Sequence, residues 1–441
     1  MLTPIGFYYI YYNNHVYGVI MSASSDMLIG TNTSVGKLLV SAVSYKDNRP
    51  IEGAHIEISY ADNPDSPIHE IITDSNGFAK INELPAPEIG YSLEPGSIRP
   101  YALLNLSIKH PDFEEIKLEG VQLLPEVTAE QYFKLAPTTN EGSASYELFK
   151  IGPNVLFGDY PAPIQEAEIK PAAASGEVVL DSVVIPEYII VHDGNPTEQA
   201  TNYWVKYRDY IKNVASSEIY ATWPTAAIYA NILAIQSFTL NRVYTEWYRN
   251  KGYDFTITSS TAYDHKWIAE RNIYDTIEAC VDDIFTNYLS RPGVKQPILT
   301  QYCDGRKVSC PSVMTQWGSK ELADKGYTAV EILRHFYGES IYINSSSIIS
   351  GIPLSYSGSE LSLGSSGTDV KTIQKQLNTI AKAYPALPSV SVDGIYGSKT
   401  KAAVKAFQAL FGLNPTGTVN QKTWYKISQL YVGVSGIAEY S

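Results

Sequence analysis

Glu218 closes the run Val214-Ala215-Ser216-Ser217-Glu218 and stands just ahead of Ala221-Thr222-Trp223-Pro224. A carboxyl set among apolar groups and an indole has its charged form disfavoured, which raises its pKa. A carboxyl that keeps its proton near neutral pH is what general-acid attack on a glycosidic oxygen requires. The chain holds 46 acidic residues, so a solvated or capping glutamate is the competing reading on pattern alone. Three cysteines, Cys280, Cys303 and Cys310, are too few for a disulfide framework and allow one bridge at most, with Cys303 and Cys310 a plausible pair.

The elements that must position such a glutamate belong to a multidomain chain. At 441 residues the sequence is too long for one ordinary core. Apolar content of 44% and charged content of 18% describe a globular protein. A net charge of -13 argues against nucleic acid, whose phosphates call for clustered Lys and Arg. The 34 tyrosines suit a carbohydrate surface, because a sugar's apolar face stacks on a ring, although half-buried strands also use them. Residues 5–21 are apolar but interrupted at Asn13, Asn14 and His15 and preceded by no Lys or Arg. That pattern fits a strand better than a signal peptide or a membrane anchor.

The expected fold class is multidomain α+β. Residues 1–34 form a presegment. Over residues 35–136 a β-sandwich is expected: Ala54, Ile56, Ile58 and Tyr60 alternate with polar residues, and turns fall at Asp47-Asn48 and Asp74-Ser75-Asn76-Gly77. Residues 137–176 carry Thr138-Thr139-Asn140-Glu141-Gly142-Ser143, several prolines and Ala172-Ala173-Ala174-Ser175-Gly176, which reads as an exposed, cuttable linker. A mixed α/β domain occupies residues 177–344, with one patterned helix of about seven turns running from Pro224 to Gly252. A Ser/Gly linker follows at 345–360. The last part, 361–441, reads as three helices, with Val370, Ile373, Leu377 and Ile380 on one face and Ala403, Val404 and Phe407 on the next.

Three stretches resemble known families. Leu363-Gly364-Ser365-Ser366-Gly367-Thr368-Asp369-Val370 with Ile373-Gln374, then Asp393-Gly394-Ile395-Tyr396-Gly397, Phe407-Gln408, Gly417 and Thr423-Trp424, is similar to the bacterial peptidoglycan-binding domain. On that likeness the turn holding Asp393, Gly394 and Tyr396 is the expected binding groove. Arg49-Pro50-Ile51-Glu52-Gly53-Ala54 through Asp74-Ser75-Asn76-Gly77 to Leu84-Pro85 resembles the carboxypeptidase-regulatory or transthyretin-like sandwich. Glu218 with Ala221, Ala227, Ala230, Ala234 and Phe238, followed by Met314-Thr315-Gln316-Trp317-Gly318 and Glu331-Ile332-Leu333-Arg334-His335, resembles the stage II sporulation protein D family.

That last resemblance implies a lytic transglycosylase of peptidoglycan in which Glu218 is the single catalytic acid and base. Asp264, His265, Tyr302 and Gln316 are expected along the substrate cleft. Some relatives bind zinc near residues 259–267, where this chain offers His265 and no cysteine. His265, Cys303 and Cys310 make a poor tetrahedral set, so neither metal nor other cofactor is expected. Asn231, Gln236 and Cys310-Pro311 depart from the family pattern, which keeps two alternatives open: a non-catalytic enhancer of a wall amidase, and a hydrolytic muramidase. The order of parts resembles the clostridial spore cortex-lytic enzymes. It implies a zymogen laid down in the spore, acting on cortex peptidoglycan after a subtilisin-like germination protease cuts between Lys150 and Leu156.

Overall fold

The computed structural model describes residues 8–12, 15–19, 34–138, 146–170, 183–346 and 359–435. Two short strands, Tyr8–Tyr12 and His15–Val19, pair antiparallel within the presegment. Among the described residues no helix is long and apolar enough to cross a membrane.

The sandwich forms for the reason its pattern gives. In the strand Ser34–Ser44 the inward Leu38, Val40 and Ala42 are buried while their neighbours face outward, the period of two of a pleated strand. Ala54, Ile56 and Ile58 bury the facing strand in the same way. Asp74 caps the expected turn by accepting from the amides of Asn76 and Phe78, both at 2.9 Å, and Gly77 takes the positive φ of 75° that closes it.

Neither sheet is complete from residues 35–136. The strand Tyr146–Lys150 adds in parallel to Phe113–Leu123, and Ile273–Tyr274 of the central domain adds to Thr128–Leu135. Buried polar groups seal this joint: Asn272 exchanges backbone-directed bonds of 3.0 Å with Gln122, and Arg271 donates to the Gln122 side chain at 2.8 Å. The sandwich and the central domain therefore share a core.

The linker expected over 137–176 needs correction. Its residues 146–170 are packed, with Ile151, Asn154 and Leu156 buried, because the chain here finds backbone partners on both neighbouring domains. Residues 139–145 and 171–176 lie outside the described residues. So does most of the Ser/Gly linker: 347–358 are not described.

In the central domain the helix Tyr207–Glu218 is buried along nearly its whole length and ends on the candidate glutamate. The long helix is Thr225–Tyr244, shorter than expected. It stops because Thr245 bonds back to the Asn241 carbonyl and Glu246 adopts a positive φ of 46°. Ile228, Ile232, Ile235 and Thr239 all face the core, as their spacing predicts.

The C-terminal part is three helices, Thr368–Ala383, Ser398–Leu410 and Gln421–Ser435. Two glutamines hold it together in the same way. Gln374 accepts from the Gly394 amide and donates to Thr400, while Gln408 accepts from the Gly417 amide and donates to Thr423. Each buried amide ties one helix to the turn and the helix that follow it. The module also docks on the rest of the chain: Lys426 reaches Glu278 at 2.8 Å, and Phe411 meets Phe78 of the sandwich edge to face.

Candidate active site and wall-binding module

Glu218 sits at the last position of its helix and is 2% exposed. The preceding apolar residues Val214 and Ala215 are fully buried, so the local run forces the carboxyl inward with them. One carboxylate oxygen accepts from the Lys266 backbone N–H at 2.6 Å, and the other accepts from the Tyr302 hydroxyl. Burial is the largest influence and lifts the pKa to about 7; the Tyr302 and Lys266 hydrogen bonds pull the other way. Near neutral pH a substantial share of Glu218 therefore keeps its proton.

The carboxyl lies on a small cleft of about 440 Å³, counted out to its open mouth. Tyr302, Gln316, Asp304 and Lys307 contribute from the central domain, and Val155, Gly158, Tyr160, Pro161 and Pro163 from the segment before it. Gln316 donates to the Glu218 backbone carbonyl at 3.1 Å and thereby fixes the helix end. Cys303 and Cys310 form a disulfide that closes the loop carrying Asp304 and Lys307. Among the described residues no group of three or more His, Cys, Asp or Glu side chains is placed to hold a metal ion.

Of the two residues that sequence reasoning places along the cleft, Asp264 lines it and His265 does not. Asp264 is a buried anchor that accepts from Arg242 at 2.7 Å, Tyr248 at 2.7 Å and the Thr258 amide at 2.9 Å. Its carboxylate is saturated, although the residue touches the cleft wall. His265 is 1% exposed and does not line the cleft. It stacks on Tyr302 and contacts the Tyr210 hydroxyl, and burial drives its pKa down to about 3, so it stays neutral. The sequence reading missed Lys266, which acts through its backbone, and the whole contribution of residues 155–163. Backbone donors and chain returning from another domain leave no residue-type signal.

In the C-terminal module Tyr396 needs the same correction. It is fully buried, with its hydroxyl on the Gly417 carbonyl at 3.1 Å, so it is a core residue and not a contact in a groove. Gly394 supplies the turn's positive φ of 77°, and Asp393 accepts from the Ile395 amide at 2.9 Å. The outward large apolar side chains around this turn are Leu363, Val392 and Ile395, and Asp393 among them is exposed too. Tyr396→Phe should cost the module about 1 kcal/mol in denaturant unfolding, the worth of one hydrogen bond, and leave sedimentation with cell walls unchanged. Loss of wall binding at full stability would return Tyr396 to the groove.

The raised pKa of Glu218 also makes a stability statement. Ionising a buried carboxyl opposes folding, so the contribution is present below the unfolded pKa of about 4.5 and is lost as pH rises through about 7. Glu218→Gln should therefore stabilise the uncut protein relative to the parent at pH 8, on the order of 3 kcal/mol, with little difference at pH 4. Urea melts at the two pH values measure this, and a pH-independent difference would contradict the assigned burial.

The three-helix module is the part of the chain that matches a known family. Residues 366–427 match the family described as "Putative peptidoglycan binding domain". An uncharacterized protein in the bpoA1 3′ region of Kitasatospora aureofaciens is 45% identical over 75 residues, which is 16% of this chain. The chain spans 59% of that relative's length. Among solved structures, the SleB N-terminal domain is 30% identical and covered over 97% of its length, matching 17% of this chain at a TM-score of 0.15. The Bacillus anthracis TIE protein is 17% identical, covers 24% of this chain and 17% of its own, and scores 0.17. GBS52, the minor pilin of Streptococcus agalactiae, is 16% identical, covers 30% and 51%, and scores 0.18. TM-scores this low say nothing about activity.

Proposed function

We propose that the chain is the precursor of a spore cortex-lytic enzyme of the SleC type, which cleaves the bond between N-acetylmuramic acid and N-acetylglucosamine in cortex peptidoglycan. The observation that carries the reading is a buried Glu218 that keeps part of its protonated form near pH 7 while lying on a cleft of mixed polar and apolar lining. As general acid it protonates the bridging oxygen. As base it then takes the proton of the muramic C6 hydroxyl while that oxygen attacks C1, leaving an anhydro sugar. One carboxyl suffices because the substrate supplies the nucleophile, unlike the carboxylate pair of ordinary glycosidases. Tyr302 positions Glu218 through its hydroxyl.

A covered carboxyl fits a precursor that a protease must open during germination. The stretch Lys150 to Leu156 remains the proposed cut, with Lys150 and Pro153 exposed and Ile151, Asn154 and Leu156 buried. A protease therefore acts after local opening of this stretch. The same covering of Glu218, which is 2% exposed, favours the second reading, an enhancer that binds wall and leaves cleavage to a separate amidase.

Digesting spore cortex with the cut protein and weighing the fragments separates the readings. Anhydro ends support the transglycosylase, hydrated ends a muramidase, and no fragments the enhancer. Removing residues 359–441 should abolish sedimentation with cell walls. On the cleavage reading it should lower activity on intact cortex at least tenfold more than on soluble glycan, because the tether supplies local concentration. Equal losses on both substrates would show that the module does more than target.

A further inference from the structure

Residues 151–170 join the sandwich to the central domain and are held differently along their length. At the start, the Ile151 amide donates to the Glu119 carbonyl at 2.8 Å and the Asn154 amide to the Tyr101 hydroxyl at 3.2 Å, both on the sandwich. In the middle the chain clamps the end of the Glu218 helix. The Asn154 side chain donates to the carbonyls of Ser216 and Ile219, and the Val155 amide donates to that of Ser217 at 2.8 Å. Carbonyls on both sides of Glu218 are thereby occupied by this one segment.

Over the next residues the segment forms part of the cleft wall. Val155, Gly158, Tyr160, Pro161 and Pro163 share its lining with Glu218. Lys307, on the disulfide loop, donates to the carbonyls of Phe157 and Gly158. Tyr160 folds back to donate to the Pro153 carbonyl at 2.7 Å, and a Cβ on Gly158 would sit 2.6 Å from the Tyr160 ring. No residue of the sandwich, 34–138, lines the cleft.

Beyond Pro163 every named partner belongs to the central domain. The Ile164 amide donates to the Ala262 carbonyl at 2.7 Å, Glu166 pairs with the fully buried Arg242 at 2.6 Å, and Glu168 pairs with Arg291 at 2.8 Å. The Lys170 amide reaches Gln296 at 3.1 Å.

We infer that residues 153–163 are an intramolecular plug for the Glu218 cleft, that 164–170 are a permanent part of the central domain, and that the plug, not the sandwich, silences the precursor. The inference rests on the reading of Glu218 as the cleaving acid. A segment fixed at both ends meets the cleft at high effective concentration; a break on its N-terminal side leaves a tail fixed at one end, and glycan can then displace it. The sandwich need not leave for this to happen, since its joint at Gln122 and Asn272 is built from residues outside the cleft.

The test uses the full, uncut chain carrying Asn154→Ala with Tyr160→Ala. Fragment release from cortex is read beside amide hydrogen exchange. The expected result is release at least tenfold above the uncut parent, faster exchange at Val155, and unchanged protection at Ile164 and Lys170; adding Glu218→Gln should remove the gain. If the double variant fails to keep the Ile164 protection, Gly158→Val, whose side chain must displace the Tyr160 ring, is read in the same way. A variant with a freed Val155 amide that stays inert while the cut parent is active overturns the plug and leaves Glu218 standing. An inert cut parent overturns the cleavage reading and the plug with it.

Discussion

Glu218→Gln in the protein cut ahead of Val155 should lower fragment release from cortex roughly 10³-fold, within the range that general acid–base catalysis contributes. The substitution keeps the shape of the side chain. Its amide oxygen can still accept from the Lys266 N–H, and its NH₂ can meet the Tyr302 oxygen, so the surrounding geometry has no reason to change. What it lacks is a proton to give and a basic oxygen to take one back. Binding to walls should be unaffected, because the residues 366–427 that match the wall-binding family lie in a separate helical module. The pH dependence gives an independent check. Burial is the main cause of the raised pKa of about 7, and opening the cleft readmits water, so in the cut form the value should fall below 7. Loss of the acid form would then set the alkaline limb of kcat/KM at or below pH 7. Normal cleavage by the glutamine variant would remove Glu218 from the mechanism altogether.

The second large effect falls on stability. Asp264→Asn removes the negative charge beside Arg242, whose side chain is fully buried and shared between Asp264 and Glu166. Breaking one partner of a buried pair costs about 3–5 kcal/mol, and the lower end applies here because Glu166 still faces Arg242. For a domain of this size that corresponds to a melting temperature lower by roughly 10 °C. Activity per folded molecule, measured well below the melting point, should change only a few-fold. A fall of a hundredfold or more at unchanged melting temperature would mean that Asp264 touches substrate in the reaction, against the four hydrogen bonds that occupy its carboxylate.

These two residues also mark where sequence reasoning reaches and where it stops. Both are acidic and both border one cleft. The difference between a carboxyl free to exchange a proton and one that braces the fold lies in its partners. Glu218 has a backbone N–H and a phenol; Asp264 has a guanidinium, a phenol, a hydroxyl and an amide. Those partners come from distant stretches of chain, and no spacing within either motif announces them. Tyr396 repeats the lesson in the module. Its motif is legible, yet the ring points into the core, while Ile395 beside it is 58% exposed.

By itself, the sequence determined what local periodicity can carry: the alternating strands of the sandwich, the buried faces of the helices, and a wall-binding module whose two glutamines and two glycine turns stand in register. Such features depend on residues within a few turns of one another, so their order along the chain is enough. Only the tertiary structure decided that the supposed linker is packed, that strands from two other segments complete the sandwich, and that residues from 155–163 share the lining of one cleft with Glu218. These are contacts between segments up to 150 residues apart, as between Gln122 and Asn272. They depend on which surfaces the domains leave for one another, and that is fixed by packing and by the need to pair every buried polar group.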